Sequence, residues 1–180
     1  MTGKRGQGVL PRQTLAKLTA DGGIRASAPL VPGQLQPASL DLRLGTVAHR
    51  LRASFLTGPE ATVAERMPEL LMHSIDLSQG AVLEKGCVYL VELMESFALP
   101  EDLEGTANAK SSTGRLDLLT RTVTDYGTEF DRIPAGYHGP LYAEICPRSF
   151  SVLVRPGMRL NQVRLRRGRA ELTDSELKVR

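Results

Sequence analysis

Six consecutive residues, KSSTGR at 110–115, combine positive charge, hydroxyl groups and little bulk. Together they offer groups that bind phosphate: the hydroxyls of Ser111, Ser112 and Thr113, the accessible backbone of Gly114, and the cationic side chains of Lys110 and Arg115. The segment is not a Walker A loop, because its lysine precedes the serines and no G-x-x-x-x-G leads into it. The residue types predict a phosphate-binding loop, and the alternative is a polar turn that caps a helix.

A candidate general base lies in RIPAGYHGPLYAEI at 132–145. The alternation in its last five residues predicts a strand with two faces: an apolar face of Leu141, Ala143 and Ile145, and a second face of Tyr142 and Glu144. A glutamate that faces a cleft among apolar neighbours can take a proton from water. The alternative is a surface glutamate on an ordinary strand.

A third polar position lies in RPGMRLNQVRL at 155–165. Pro156 and Gly157 predict a turn into a strand, and Gln162 is a polar residue within that strand. Taken alone, this segment is typical of a hairpin.

The elements that must position these residues are mostly short strands. A helix is predicted at 11–21, a strand with strict alternation at 39–45, and a helical piece at 61–72 that Pro68 interrupts. From residue 81 onward, short apolar runs alternate with Gly or Pro turns. The pattern predicts a mainly β domain, a distorted jelly-roll or β-barrel with short peripheral helices. Near the end, Thr173–Glu176 has the capping-box pattern of a further helix.

Composition restricts the class of protein. The chain has 180 residues, 41% hydrophobic and 24% charged, as in one globular domain. No run approaches the roughly 18 apolar residues of a membrane span. Two cysteines are too few for a disulfide scaffold, so a reduced cytoplasmic protein is expected.

Charge and metal-ligating residues exclude two further kinds of binding site. The net charge of +3 includes an arginine cluster at 164–169, but with 4% aromatic residues and no tryptophan, nucleic-acid binding is not expected. No metal site is predicted, because the histidines are scattered and the cysteines lack C-x-x-C partners.

Four segments, in this order along the chain, resemble dCTP deaminases and trimeric dUTPases, with the closer match to the deaminases. They are QPASLDLRLG (36–45), KSSTGRL (110–116), RIPAGYHGPLYAEI (132–145) and RPGMRLNQVRL (155–165). The resemblance covers residues 9–167 of a single domain at 1–180. It is closer still to the first domain of a longer, two-domain bacterial deaminase, in which 168–180 would lead to the second domain.

The resemblance implies a dUTPase-like jelly roll that forms a homotrimer, or a pseudo-symmetric assembly with a second deaminase-like domain, and active sites at subunit boundaries. The implied reaction is hydrolysis of dCTP to dUTP and ammonia, with Mg²⁺ entering with the triphosphate and no zinc. The H-x-E…P-C-x-x-C pattern of zinc deaminases is absent.

The resemblance also implies roles for individual residues. Glu144 falls on the catalytic base, and Arg115 on the arginine that helps to position the chemistry. The nucleotide-binding positions are Lys110, Ser111, Ser112, Thr113, Gly114, Arg132, Tyr137, Tyr142 and Gln162.

Three departures from the family pattern keep alternatives open. Pro134 stands where the family has an aspartate that contacts the sugar, with Asp131 three residues earlier. The segment between Arg115 and Arg132 is longer than usual, and the tail that closes over the triphosphate is not seen. The alternatives are a non-catalytic nucleotide-binding or structural repeat of a two-domain deaminase, and a dUTP pyrophosphatase.

Overall fold

β-Strands are the main regular secondary structure of residues 7–168, the part of the chain that the computed structural model describes. In chain order the elements are β1 (Gly8–Val9), α1 (Arg12–Ala20), β2 (Ile24–Ala26), β3 (Leu40–Leu51), α2 (Val63–Leu70), β4 (Leu71–Asp76), β5 (Ala81–Leu83), β6 (Val88–Ala98), β7 (Leu103–Ala109), α3 (Ser111–Arg115), β8 (Leu118–Thr124), β9 (Arg132–Ile133), β10 (His138–Pro147), β11 (Val152–Val154) and β12 (Arg159–Arg167).

Ten strands form one antiparallel sheet. Its main path runs β8-β10-β6-β3-β12-β7-β9, while β1 pairs with β12, β2 with β6 and β4 with β3. β5 and β11 form a separate two-stranded ribbon. The predicted mainly β, barrel-like fold with short peripheral helices is confirmed.

Asp131 connects β8, at one end of this path, to β7, which is next to the other end. Its N–H donates to the Thr122 carbonyl of β8 at 2.9 Å, and its carbonyl accepts from the Ala107 N–H of β7 at 2.7 Å. Its Oδ1 also accepts from the Thr122 N–H at 2.7 Å, and its φ of 63° is in the left-handed region. The sheet is therefore curled into a nearly closed barrel, with Asp131 at the seam.

The apolar side chains form two clusters, one on each face of the sheet. The barrel interior includes the three leucines at 40, 42 and 44 of β3 and the predicted apolar face of β10, Leu141, Ala143 and Ile145. The second cluster lies on the outer face, where Leu90 and Val123 pack with α2 and with partly buried aromatics, including Phe55, Phe130 and Tyr142. The two faces predicted for β10 are confirmed.

Arg43, on the polar side of the alternation that begins β3, is buried as well. Glu95 Oε1 accepts from Arg43 Nε at 2.7 Å and from Gln34 Nε2 at 2.7 Å, and Oε2 accepts from the Arg43 backbone N–H at 2.6 Å. The remaining Arg43 donors reach the carbonyls of Ala28 and Pro29 at 2.7 and 2.8 Å. This satisfied network fixes the extended segment before β3 to the sheet.

The helices agree with the predicted positions at α1 and α2, but the prediction that Pro68 interrupts the second was wrong, because α2 continues through it to Leu70. α1 follows Pro11, and α2 begins at a capping box in which Thr62 and Glu65 bond each other's backbone N–H groups. KSSTGR forms a short helix, α3, with Lys110 at its N-cap position. The helix predicted from Thr173 lies outside the described residues. Between residues 7 and 168, the helices are all too short or too polar to cross a bilayer.

Candidate active site

Glu144 lies on the outer face of β10, opposite Arg121 of β8 and Leu90 of β6. Its side chain is only 2% exposed. Oε1 accepts two hydrogen bonds from Arg121, from Nε at 3.1 Å and from Nη2 at 2.5 Å. Within residues 7–168, the buried Oε2 has no hydrogen-bond partner. One oxygen of the carboxylate is therefore held by Arg121, and the other has no partner among the described residues.

Two loops hold the guanidinium of Arg121. Its Cζ lies 3.7 Å from the ring centroid of Phe130, which belongs to the long segment between β8 and β9. Its Nη2 also donates to Ser54 Oγ at 2.9 Å, from the loop between β3 and α2. We call Glu144, Arg121, Tyr142, Phe130 and Ser54 the Glu144 face.

Asp131 adds a second carboxyl group to this region. Burial raises the pKa of Asp131 above its ordinary value, and the charge of Glu144 acts in the same direction. The hydrogen bonds from Thr122 and the charge of Arg121 oppose this rise. Asp131 Oδ1 accepts the Thr122 N–H where the barrel closes. Asp131 therefore has a structural hydrogen bond, and it lies beside the Glu144 face.

The two tyrosines predicted near the nucleotide differ in their surroundings. Tyr142 is on the Glu144 face, and burial raises the pKa of its hydroxyl, which stays protonated at neutral pH. Tyr137 is 6% exposed, and its hydroxyl donates to the Pro140 carbonyl at 2.5 Å while accepting the Asp125 N–H at 3.1 Å. The Tyr137 hydroxyl thus ties two backbone segments together.

Three of the predicted phosphate-binding residues line one cleft of about 350 Å³. We call it the Lys110 cleft; its polar lining side chains are Lys110, Ser111, Gln162, Gln36, Ser39, Asp41 and Arg164. The Lys110 ammonium pairs with Asp41 Oδ2, and Arg159 Nη1 lies 3.5 Å from the same oxygen. Ser39 Oγ donates to Gln162 Oε1 at 3.2 Å. The cleft therefore offers both charged and neutral hydrogen-bond donors.

The rest of α3 is divided between an anchor and an exposed surface. Thr113 is buried and donates from Oγ1 to the Leu160 carbonyl at 3.0 Å. Ser112, Gly114 and Arg115 are exposed. A Cβ placed on Gly114 would meet no heavy atom within 4 Å, so the space above this turn is open.

The predicted residues are therefore not all brought together in one site. No hydrogen bond or ion pair joins the Lys110 cleft to the Glu144 face within residues 7–168, and none joins Arg115 to Glu144 there. Arg132 lies on the surface of β9, where it pairs with Glu129 at 3.3 Å. Tyr142 and Glu144 are together, whereas Lys110, Ser111 and Gln162 are together elsewhere.

No group of three His, Cys, Asp or Glu side chains in the described part of the chain is placed to hold a metal ion. Asp41 is the carboxylate of the Lys110 cleft, and two cationic side chains already flank it. Such a lining suits phosphate oxygens, which accept hydrogen bonds from cationic and hydroxyl donors.

Residues 6–169 match the family model of the 2'-deoxycytidine 5'-triphosphate deaminase (DCD) N-terminal domain. The chain belongs to this family. The resemblance found in the four sequence segments is thereby confirmed.

Several relatives of the deaminase family are similar over most of the chain. A protein named "dCTP deaminase, dUMP-forming" from Parafrankia sp. is 33% identical over 156 residues, which are 84% of this chain and 72% of the relative. One of the same name from Corynebacterium kroppenstedtii is 29% identical over 148 residues, 81% of this chain and 74% of the relative.

A crystal structure of the 2'-deoxycytidine 5'-triphosphate deaminase from Agrobacterium tumefaciens is also similar. It is 54% identical, with a TM-score of 0.93, and the match covers 97% of this chain and 53% of that one. The chain thus spans about half the length of the Agrobacterium protein.

Sequence reasoning missed the partners of Glu144 in this deaminase-family domain. Arg121 sits between threonines in an unremarkable strand pattern, and it becomes a site residue only through the register that places it opposite Glu144. Phe130 carried no local signal beyond its place in the long segment between Arg115 and Arg132. To find Arg121 from the sequence, the register of β8 against β10 would have had to be predicted first.

Proposed function

We propose that this domain takes part in the hydrolytic deamination of dCTP, with Glu144 as the general base. The observation that carries the proposal is the buried Glu144 carboxylate, held through Oε1 and free at Oε2. Membership of the deaminase family supports the choice of substrate.

In the proposed reaction, Glu144 Oε2 takes a proton from a water molecule as its oxygen attacks C4 of cytosine. The same carboxyl then passes the proton to the amine, the bond from C4 to the amine nitrogen breaks, and ammonia leaves. One dCTP and one water give one dUTP and one ammonia. Because Glu144 supplies the base, the proposal requires no zinc-bound hydroxide.

The Lys110 cleft is the proposed site for the triphosphate. Lys110, Ser111 and Gln162 provide a cation, a hydroxyl and an amide within one opening. Mg²⁺ enters as the counter-ion of the triphosphate. Ser112, Gly114 and Arg115 extend the same donor surface along α3.

The separation of the Lys110 cleft from the Glu144 face supports a site completed by a second copy or domain. We propose that the Glu144 face of one unit meets the α3 surface of another, in a homotrimer or a pseudo-symmetric assembly. Arg115, exposed on α3, would then reach the nucleotide across the boundary.

One observation favours a second candidate function. Glu144 is almost fully buried and ion-paired, as expected of a domain that binds nucleotide or supports its neighbour without catalysis. The relatives named "dCTP deaminase, dUMP-forming" suggest a variant of the proposed deamination in which the final product is dUMP.

The test is to incubate the protein with dCTP and Mg²⁺ and to separate dCTP, dUTP, dUMP and ammonia. Glu144→Gln should lower kcat by about 10²- to 10⁴-fold, the usual contribution of a general base, while dCTP binding stays nearly unchanged. Glu104→Gln, at a partly exposed ion pair on β7, is the matched control and should keep wild-type turnover.

Three results would change the proposal. Equal loss of binding and turnover in Glu144→Gln would make the residue structural. Binding of dCTP without turnover in the wild-type protein would support the non-catalytic candidate. Appearance of dUMP without free dUTP would establish the dUMP-forming variation. Arg115→Ala should weaken both binding and turnover.

A further inference from the structure

We propose, on the basis of the function above, that Arg121 is a positioning residue for the Glu144 base. It holds Oε1 so that Oε2 is the oxygen that receives the proton. Arg121 would contact Glu144 rather than the nucleotide, and its effect would be on the chemical step.

The pattern of donors supports this role. Both Nε and Nη2 of Arg121 converge on Oε1, at 3.1 and 2.5 Å. In a parallel fork, by contrast, each carboxylate oxygen would receive its own donor and neither would stay free. Here Oε2 is buried without a partner among residues 7–168, so its lone pairs are unused by the described fold. A carboxylate fixed by one oxygen keeps both its orientation and its ability to accept a proton.

Arg121 can fix Glu144 because it is itself fixed. The Phe130 ring lies against the guanidinium, and Ser54 accepts from Nη2 at 2.9 Å. These contacts come from two separate loops, the segment between β8 and β9 and the loop between β3 and α2. The direction of Glu144 Oε2 is therefore set by two loops acting through one arginine.

The position of Arg121 on the sheet distinguishes it from Arg115. Arg121 is directly opposite Glu144 in the β8–β10 register, so the pair forms within one chain. Arg115 is exposed at the end of α3 and, among the described residues, makes no contact with Glu144. The two arginines are thus assigned to different partners: Arg121 to the base and Arg115 to the nucleotide.

The test compares kcat and KM for dCTP in Arg121 variants of the intact protein. Arg121→Ala should lower kcat by about 100-fold, the loss typical of a catalytic group displaced by about 1 Å, with little change in KM. Added guanidinium ion at non-denaturing concentration should restore part of that kcat. Arg121→Lys keeps the charge without the planar fork and should lose less.

Arg166→Ala is the matched control. Arg166 also pairs with a glutamate, Glu104, at 2.7 Å, but on β12 and β7, away from Glu144. This variant should keep the wild-type kcat and show no response to guanidinium. Phe130→Leu removes the ring beneath the guanidinium while keeping the ion pair, so it should lower kcat by less than Arg121→Ala does. Thermal unfolding of each variant shows whether it is folded.

The outcomes separate this proposal from the proposed function. An active wild-type protein with unchanged kcat in Arg121→Ala would overturn the positioning role alone. Loss of kcat together with a matching loss of binding, and no rescue by guanidinium, would show a merely structural arginine and also overturn it. If Arg121→Ala does not fold, unchanged kcat in both Arg121→Lys and Phe130→Leu would be decisive against it. A wild-type protein without turnover would overturn the proposed function and this role with it.

Discussion

Within residues 7–168, Glu95 and Glu144 are buried glutamates that each pair with an arginine, Arg43 and Arg121, and the two pairs differ in how much of each carboxylate is used. Glu95 is fully buried, and both of its oxygens accept hydrogen bonds. Glu144 is nearly as buried, at 2%, but only Oε1 has a partner within residues 7–168. The arginines differ too: Arg43 is 3% exposed and Arg121 is 29% exposed.

The difference is the one expected if Arg43–Glu95 belongs to the fold and Arg121–Glu144 to the proposed site. A buried charge whose hydrogen-bonding capacity is fully used stabilises one arrangement of the chain. A buried oxygen without a partner carries a desolvation cost, which a native structure usually retains only where the atom has another use. Arg43–Glu95 therefore joins β3, β6 and the extended segment before β3, whereas Arg121–Glu144 keeps an acceptor available.

Glu95→Gln should give the largest loss of stability. The substitution puts an amide NH₂ where one carboxylate oxygen accepts from a buried donor, and it leaves Arg43 without its counter-charge. Breaking a buried pair in this way costs about 3–5 kcal/mol. Urea unfolding monitored by circular dichroism measures the free energy of unfolding. A loss below about 1 kcal/mol would remove the distinction between the two pairs.

The same substitution at Glu144 should cost less, about 1–2 kcal/mol. In Glu144→Gln, Oε1 can still accept both Arg121 hydrogen bonds, and the amide nitrogen replaces the oxygen that had no partner. Arg121 also keeps partial contact with solvent. Measuring the free energy of unfolding of Glu95→Gln and Glu144→Gln under the same conditions gives a matched test. Equal destabilisation of the two variants would show that Glu144 Oε2 has a hydrogen-bond partner in solution.

Lys110→Met extends the comparison to a third buried carboxylate. Asp41 resembles Glu144, because its Oδ2 is ion-paired while its Oδ1 has no partner within residues 7–168. Removing the lysine should raise KM for dCTP by about 10-fold, the value of one charge-assisted hydrogen bond, with kcat little changed. Arg159 remains on Oδ2, so the domain should stay folded. Steady-state kinetics with a parallel melting curve checks both statements.

Asp131→Asn should have the smallest effect, and the size of that effect depends on pH. Burial raises the native pKa of Asp131, so the native state binds this proton more tightly than the unfolded state does. The resulting cost to stability is absent below the ordinary pKa and fully present above the raised one. Asparagine keeps the Oδ1 acceptor and tolerates the positive φ, so the variant should melt slightly higher at neutral pH.

That gain should shrink as the pH is lowered towards about 4, the ordinary value for an aspartate. Melting curves of the wild type and the variant across this pH range give the comparison. A gain that is constant with pH would show that Asp131 titrates normally in the fold.

Local patterns were sufficient to predict the fold class and the two faces of β10, whereas the assignment of Glu144 as the base came from the family resemblance and stays a prediction. The alternation in LYAEI predicted which side chains of β10 enter the barrel, and the predicted helices appear as α1 and α2. Each of these features depends on periodicity within a few residues, and such periodicity is visible in a single sequence.

The partners could not be predicted, because they depend on strand register. Arg121 and Glu144 are 23 residues apart, Arg43 and Glu95 are 52 apart, and Lys110 and Asp41 are 69 apart. The alternation in LDLRL placed Arg43 away from the leucines, but it gave no sign that a glutamate would meet it in the interior. KSSTGR was predicted as a loop or a capped turn, and it forms the short helix α3.

The two faces of β10 also bear on how such a domain can evolve. Leu141, Ala143 and Ile145 support the barrel interior, while Tyr142 and Glu144 lie on the opposite face. Selection can therefore act on the second face with little penalty to the first. After a gene duplication, one copy could lose the proposed base at position 144 and keep its barrel. The presence of a glutamate at position 144 is therefore better evidence of retained catalysis than an intact fold.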